Sequence, residues 1–202
     1  MSQVTKIVEE GYNKIAESYY NHRNLEKFNG ELESFSLLIP ENAKVLDVGC
    51  GAGIPTAKFL VKKGFDVTGI DISERMIDLA RENVPNGKFL KMDINNLDFP
   101  EESFDGIISV YTLFHIPKEN HFKIFQNFYS LLKPEGVIMI NTGISESESF
   151  SRFFGVKMFW SNHNPDKTLA LVKDAGFSVL FEGILVRGGE YQYWIFGKKE
   201  KN

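Results

Sequence analysis

The chain has 202 residues, of which 43% are hydrophobic and 25% charged, with a formal net charge of −4 at neutral pH. A chain this long fits one domain that buries roughly 70% of its unfolded surface. The acidic balance supplies no global positive field to draw in nucleic acid or an anionic membrane, so both are disfavoured partners. Cys50 is the only cysteine, which excludes an internal disulfide framework and a cysteine metal cluster.

The first ten residues carry Glu9 and Glu10 and no continuous apolar core, so they do not read as a secretory signal. No apolar run approaches the ~18 residues that a membrane span needs. A soluble, cytoplasmic protein is expected.

Val4, Ile7, Val8, Gly11, Tyr12, Ile15 and Tyr19 recur at three- and four-residue intervals, which predicts an amphipathic helix. Arg23 follows. Its guanidinium can bind a carboxylate bidentately or stand solvated. Leu32, Phe35, Leu38 and Ile39 predict a second helix, ended by Pro40. Residues 43–48 read as a strand, apolar on both faces up to Asp47, as buried parallel strands are. The next five positions place glycine at every second one, Gly49, Gly51 and Gly53. Glycines there can adopt positive φ and let a ligand approach the backbone closely. A helix at 57–63, closed by Gly64, completes a strand, tight turn and helix, with a ligand groove expected at the strand's carboxyl end.

Residues 65–71 predict the second strand, ending at Asp71 about 20 residues past the glycines, where a carboxylate can accept both ribose hydroxyls of a nucleotide. Nicotinamide and methyl-donor enzymes share that position. Ser73 offers the cap for a helix at 74–83. Ile72 and Met76 are either soft apolar plates for an adenine ring or core. Residues 88–92 predict a third strand, with Asp93 at its end, and 103–110 a fourth, reaching Val110. Pro117 opens a helix that puts Phe122, Phe125, Phe128 and Leu132 on one face. A turn at 133–136 leads into a fifth strand at 137–140.

Residues 143–164 fit no regular element and carry Phe150, Phe153, Phe154, Phe159 and Trp160. A loop of that length inside a compact domain is commonly functional, and this one is expected to overhang the glycine loop as a substrate lid. A helix at 166–175, a strand at 177–181 and a last strand at 191–196 complete the chain. The Gly188-Gly189 link permits a hairpin, which makes the last strand antiparallel.

Glycine spacing narrows the ligand. A dinucleotide fingerprint needs glycine three after Gly51, where Ile54 stands. The G-K-[ST] of a phosphate loop is absent. Asp47 would repel a pyrophosphate and welcome an ammonium.

The stretch Val45-Leu46-Asp47-Val48-Gly49-Cys50-Gly51-Ala52-Gly53 resembles the first motif of the class I S-adenosylmethionine-dependent methyltransferases. Tyr12-Asn13-Lys14-Ile15-Ala16-Glu17-Ser18-Tyr19 is similar to the Y-D-x-x-A-x-x-Y segment that many small-molecule members lay over the cofactor, with Asn13 in place of the usual acid. The resemblance implies S-adenosylmethionine as cofactor and S-adenosylhomocysteine as product. It implies cofactor contacts from Tyr12, Tyr19, Arg23, Asp47, Gly49, Cys50, Gly51, Gly53, Asp71, Ile72, Met76, Asp93, Ile94 and Val110, the Asp93 carboxylate and Ile94 N–H meeting the adenine. Asp47, Asp71 and Asp93 at the ends of three successive predicted strands are its strongest support. The implied fold is a three-layer α/β sandwich: a seven-stranded, mostly parallel sheet with an antiparallel last strand and helices on both faces. One domain, 1–202, is expected, with an N-terminal helical lid at 1–40 and a substrate-lid insertion at 143–164.

Methyl transfer from a sulfonium mainly requires aligned reactants and excluded water, and alignment can contribute roughly 7–11 kcal/mol. Aromatic groups such as Tyr12, Tyr19 and Trp160 would favour the sulfonium by about 1–2 kcal/mol when desolvated. His115 follows the fourth strand and serves either as a base or to order the turn before Pro117. With Tyr12, Trp160 and His163 it is expected to line the acceptor pocket. Ser109-Val110-Tyr111-Thr112 lacks the [DNS]-P-P-[YFW] pattern of enzymes that methylate base amines. No metal is expected, since His115 and His121 fall on different helix faces. The reading is methyl transfer to a small molecule by a monomer or homodimer. RNA or protein as acceptor, a non-catalytic cofactor-binding subunit and a nucleotide-dependent oxidoreductase are the alternatives.

Overall fold

A computed structural model describes residues 2–22 and 28–201. Arg23 lies outside the described residues. Seven strands form one sheet: β1 (Lys44–Val48), β2 (Asp66–Asp71), β3 (Lys88–Lys91), β4 (Phe104–Ser109), β5 (Leu132–Thr142), β8 (Ser178–Arg187) and β9 (Glu190–Lys198). Their order is β3-β2-β1-β4-β5-β9-β8. Neighbours among β1 to β5 pair parallel, and β9 runs antiparallel to both β5 and β8. This is the sheet expected from the sequence.

Successive side chains on a strand point to opposite faces, and both faces here are covered. Val45, Ile108, Met139 and Trp194 turn one way, onto α2 (Asn29–Ser36), α3 (Thr56–Lys62) and α4 (Glu74–Asn83) through Phe35, Leu60 and Ile77. Leu46, Ile107, Ile138 and Ile195 turn the other way, onto α5 (His121–Leu131) and α6 (Pro165–Asp174) through Phe125, Phe128 and Val172. Each fully buried apolar side chain of this size contributes about 1.5–3 kcal/mol. The same burial holds the carboxyl ends of β1, β2 and β4 side by side, where the site forms.

Two expectations are corrected. Residues 133–136 are not a turn ahead of the fifth strand. They lie within β5 as an irregularity, with Glu135 at φ 70° and the β4–β5 register shifting between Phe104 and Gly106. Residues 143–164 are not an irregular loop but a second, two-stranded sheet of β6 (Ser147–Phe153) and β7 (Val156–Asn162). Phe154 and Gly155 join them, both at positive φ, 48° and 83°, as a two-residue hairpin turn requires.

The helix α1 (Gln3–His22) packs on this hairpin, with Val8 and Ile15 against Met158 and Phe159. Gly11 permits the approach, since a Cβ there would stand 2.9 Å from Met158 Cε. A short turn, Leu113–His115, follows β4 and is tied from behind by His121, whose Nε2 lies 3.1 Å from the carbonyls of both Leu113 and Ile116.

Burial pulls the His121 and His115 imidazoles down to about 4, against about 6.5 in the unfolded chain. The unfolded state therefore binds two protons that the folded state refuses between those values, and stability falls as pH drops through that window. Urea unfolding should show a midpoint that is level above pH 7 and declines from about 6.5 towards 4. A flat profile from pH 7 to 5 would contradict buried, neutral histidines.

Candidate functional site

The chain leaves β1 at Val48 and is folded back at once. The Gly49 and Cys50 N–H groups donate to the Ile70 carbonyl at 2.8 and 2.9 Å. Gly49 sits at φ 74°, and a Cβ on it would fall 2.0 Å from Thr112 Oγ1. That hydroxyl instead donates to the Val48 carbonyl at 3.1 Å, which no larger residue at position 49 would allow. Gly51 N–H donates to Asp71 Oδ2 at 3.0 Å, and Ser73 N–H to Asp71 Oδ1 at 2.9 Å. The acid at the tip of β2 thus fixes the glycine loop on one side and the entry to α4 on the other.

A cleft opens along these strand tips. Asp47, Asp71 and Asp93 line it, with Gly49, Cys50, Gly51, Ile72, Met76, Ile94 and Val110. Asp93 is held by the N–H and side-chain amide of Asn95, 2.9 and 2.8 Å from its Oδ1. Among the described lining residues there is no lysine or arginine. A pyrophosphate would meet carboxylates with no cation among the described lining residues to offset them, whereas an ammonium, ribose hydroxyls and a purine suit this lining. Cys50 is buried, and burial, with Asp47 and Asp71 adding to it, pushes its thiol well above the usual range. It is inert as a nucleophile and packs as a small residue.

The helix α1 closes the cleft. Its Asn13 Oδ1 accepts from Ser73 Oγ at 2.7 Å and from Arg75 N–H at 3.2 Å, while Ser73 Oγ accepts from Met76 N–H at 3.2 Å. An asparagine oxygen here completes the N-cap of α4 from outside the helix, which is where acceptor groups are favoured. Lys91 and Glu9, 2.6 Å apart, add an ion pair between β3 and α1.

One residue earlier, the Tyr12 hydroxyl lies 2.8 Å from His115 Nε2, and His115 Nδ1 lies 2.9 Å from the Phe159 carbonyl on β7. A carbonyl only accepts, so Nδ1 carries the hydrogen. With its pKa near 4 the ring is neutral, so Nε2 accepts from the Tyr12 O–H. Helix α1, the strand-end turn and the hairpin are joined by this one chain of hydrogen bonds.

A second chamber adjoins the cleft, and Tyr12, Tyr19 and Tyr111 line both. Its other walls include Phe114, Phe153, Phe154, Trp160, Asn162 and Gln192. Trp160 therefore faces this chamber and not the cleft. Two sequence-predicted residues line neither space. Gly53, at φ 76°, is pressed towards Ala80 and Val84, so it serves the packing of the loop on α4. His163 directs Nε2 to the Lys118 carbonyl at 3.1 Å and stands edge-on to His121. Thr5, Phe28, Tyr111 and Thr112 also line the cleft, and sequence reasoning missed them. Tyr111 is at φ 60° with its N–H on Asn141 Oδ1 at 2.7 Å, a conformation with no local signal in a tyrosine. The signal for Asn13 was present, as the departure from the acid in the motif it resembles.

Residues 45–136 match the family model described as a methyltransferase domain. A trans-aconitate 2-methyltransferase from Escherichia coli is 30% identical over 179 residues, 88% of this chain and 69% of that protein. A phosphoethanolamine N-methyltransferase from Plasmodium falciparum is 35% identical over 129 residues, and the match spans 48% of that protein's length and 62% of this chain. In fold the chain is like an S-adenosylmethionine-dependent methyltransferase from Methanosarcina mazei, with TM-score 0.73 and 22% identity, covering 84% of this chain and 98% of that one. It is also like the Burkholderia thailandensis 1,6-didemethyltoxoflavin-N1-methyltransferase, with TM-score 0.70 and 19% identity, covering 93% and 86%. With its sheet, its acidic strand tips and a relative of this similarity over most of both lengths, the chain belongs to the class I S-adenosylmethionine-dependent methyltransferases.

Proposed function

We propose that this protein transfers the methyl group of S-adenosylmethionine to a small-molecule acceptor. The observation that carries the reading is the row of carboxylates Asp47, Asp71 and Asp93 along one cleft, without a described cation beside them. When bound, S-adenosylmethionine supplies an electrophilic methyl group on a positively charged sulfur. Asp47 takes the amino group, Asp71 the ribose hydroxyls, and Asp93 with the Ile94 N–H the adenine, between Ile72 and Met76. The helix α1 acts as a lid over this cleft, locked by Asn13, and the hairpin β6–β7 walls the acceptor side. Small acceptors are supported by the relatives, which are named for trans-aconitate and phosphoethanolamine. Among the described residues no helix is long and apolar enough to cross a membrane.

Tyr12 stands where cleft and chamber meet. Because its proton is given to His115, its oxygen is presented as an acceptor, suited to orient an O–H or N–H nucleophile. His115 positions Tyr12 and stays neutral. Together with the surrounding rings they pack the junction, and alignment of the reactants there is the catalytic contribution asked of the protein.

Calorimetry with S-adenosylhomocysteine tests the cofactor half. A hydrogen bond to a charged group is worth about 1.5–3 kcal/mol, so D47N and D71N should each weaken binding roughly tenfold or more. Undiminished binding in both variants would sink the assignment. Release of S-adenosylhomocysteine over a panel of metabolites tests the transfer half.

The Tyr12 role predicts a split. Y12F should lower kcat by up to about tenfold, the loss expected for one orienting hydrogen bond, with little change in affinity for S-adenosylhomocysteine. Since His115 titrates near 4, no limb of kcat/KM near pH 6.5 should belong to it. A limb near that pH that H115N abolishes would show that the imidazole, and not the phenol, handles the proton.

A further inference from the structure

Two local rules are broken at one point of the fold, and a single hydrogen bond joins them. The described residues other than glycine with positive φ are Asn42, Glu102, Tyr111, Glu135 and Phe154. All but Tyr111 are exposed. Tyr111, at φ 60°, is half-buried in the wall of both the cleft and the second chamber, and the left-handed region is an outlier for so bulky a side chain. Such a conformation persists only where its surroundings impose it.

Asn141 is the second exception. It follows the apolar run Val137-Ile138-Met139-Ile140 in β5 and is fully buried, opposite Trp194 of β9. Its Nδ2 is buried without a partner among the described residues, so the amide carries a desolvation cost that an apolar side chain of the same size would not. What the position gains is Oδ1, which accepts the Tyr111 N–H at 2.7 Å. Departures from local rules that offset one another in this way concentrate at functional sites.

The bond acts on both neighbours of Tyr111. Val110 lines the cleft. Thr112 holds Oγ1 at 3.1 Å from the Val48 carbonyl and 3.3 Å from that of Val110, and fills the space that a Cβ on Gly49 would need. The Tyr111 ring itself packs between Phe28 and Phe114, at 6.1 and 6.0 Å between centroids. Without the acceptor at its N–H, the tyrosine would relax to negative φ, a swing of roughly 120° that re-aims its ring and both flanking residues.

We infer that Asn141 is a positioning residue: by holding Tyr111 in the left-handed conformation it sets the wall shared by the cofactor cleft and the second chamber. Asn141 lines neither space and acts through Tyr111. This rests on the methyltransferase reading.

Calorimetry with S-adenosylhomocysteine in two backgrounds tests it. N141L removes the acceptor and keeps the volume, and N141S, whose hydroxyl is too short to reach, serves should N141L not fold. Either should weaken binding about fivefold or more, on the scale of one buried hydrogen bond. Y111G installs a residue that takes positive φ unaided. Measured against Y111G alone, the same Asn141 substitutions should then change affinity less than twofold; Y111N, which also tolerates this region, takes its place if Y111G binds too weakly to measure. A purely structural amide would not show that rescue. Undiminished binding in both Asn141 variants would overturn the inference, and so would an equal loss with tyrosine and with glycine at position 111. Failure of the unaltered protein to bind S-adenosylhomocysteine would instead strike the methyltransferase reading, so the two failures are distinguishable.

Discussion

The grip of Asp71 on two backbone N–H groups is the constraint on which the rest of the site depends. By accepting from Gly51 and Ser73, one carboxylate at a strand tip fixes both the loop that leaves the neighbouring strand and the start of the next helix. Charge-assisted bonds of this kind are shorter and stronger than neutral ones. Their effect propagates, because the Ser73 so placed offers its hydroxyl to Asn13 and thereby seats α1. Removing the negative charge would loosen the loop, the helix entry and α1 together, although Asp71 bonds directly only to the first two.

Consecutive residues of α1 divide the work between the two spaces. Asn13 turns down onto the α4 entry beside the cleft, and Tyr12 reaches His115, which is anchored by the hairpin carbonyl of Phe159. Neighbouring positions on a helix point about 100° apart, so one short stretch can brace both compartments. Helix α1 and the hairpin are thus coupled by hydrogen bonds as well as by the contact of Val8 and Ile15 with Met158 and Phe159.

The sheet and the acidic strand tips were legible because they rest on strong local signals: glycine at positions that need positive φ, short apolar runs of strand length and helices ended by glycine. Asp47, Asp71 and Asp93 were placed by strand ends and by the family resemblance, and they do fall along one cleft. The hairpin was not legible. All of β6 except Phe153 is exposed, so it shows no buried alternation, and its turn depends on Phe154 in a left-handed conformation that sequence associates with glycine or asparagine. His163 failed for a related reason, since its partner is a backbone carbonyl 45 residues away, invisible to any local pattern. Gly53 was read correctly as a conformational need and placed on the wrong surface, because positive φ does not reveal which neighbour fills the space a side chain would have taken.

The contrast between the two spaces gives the neutrality of His115 its meaning. A charged imidazolium at the junction would stand against the sulfonium that the acidic cleft is suited to receive, and like charges in a water-poor site repel strongly. Burial among Phe114, Trp160 and Tyr12 prevents that charge from forming, while the Phe159 carbonyl selects the tautomer that keeps Nε2 as an acceptor. The junction is therefore polar without being charged. A positively charged donor can therefore be drawn in by the carboxylates of the cleft without meeting an imidazolium at the junction.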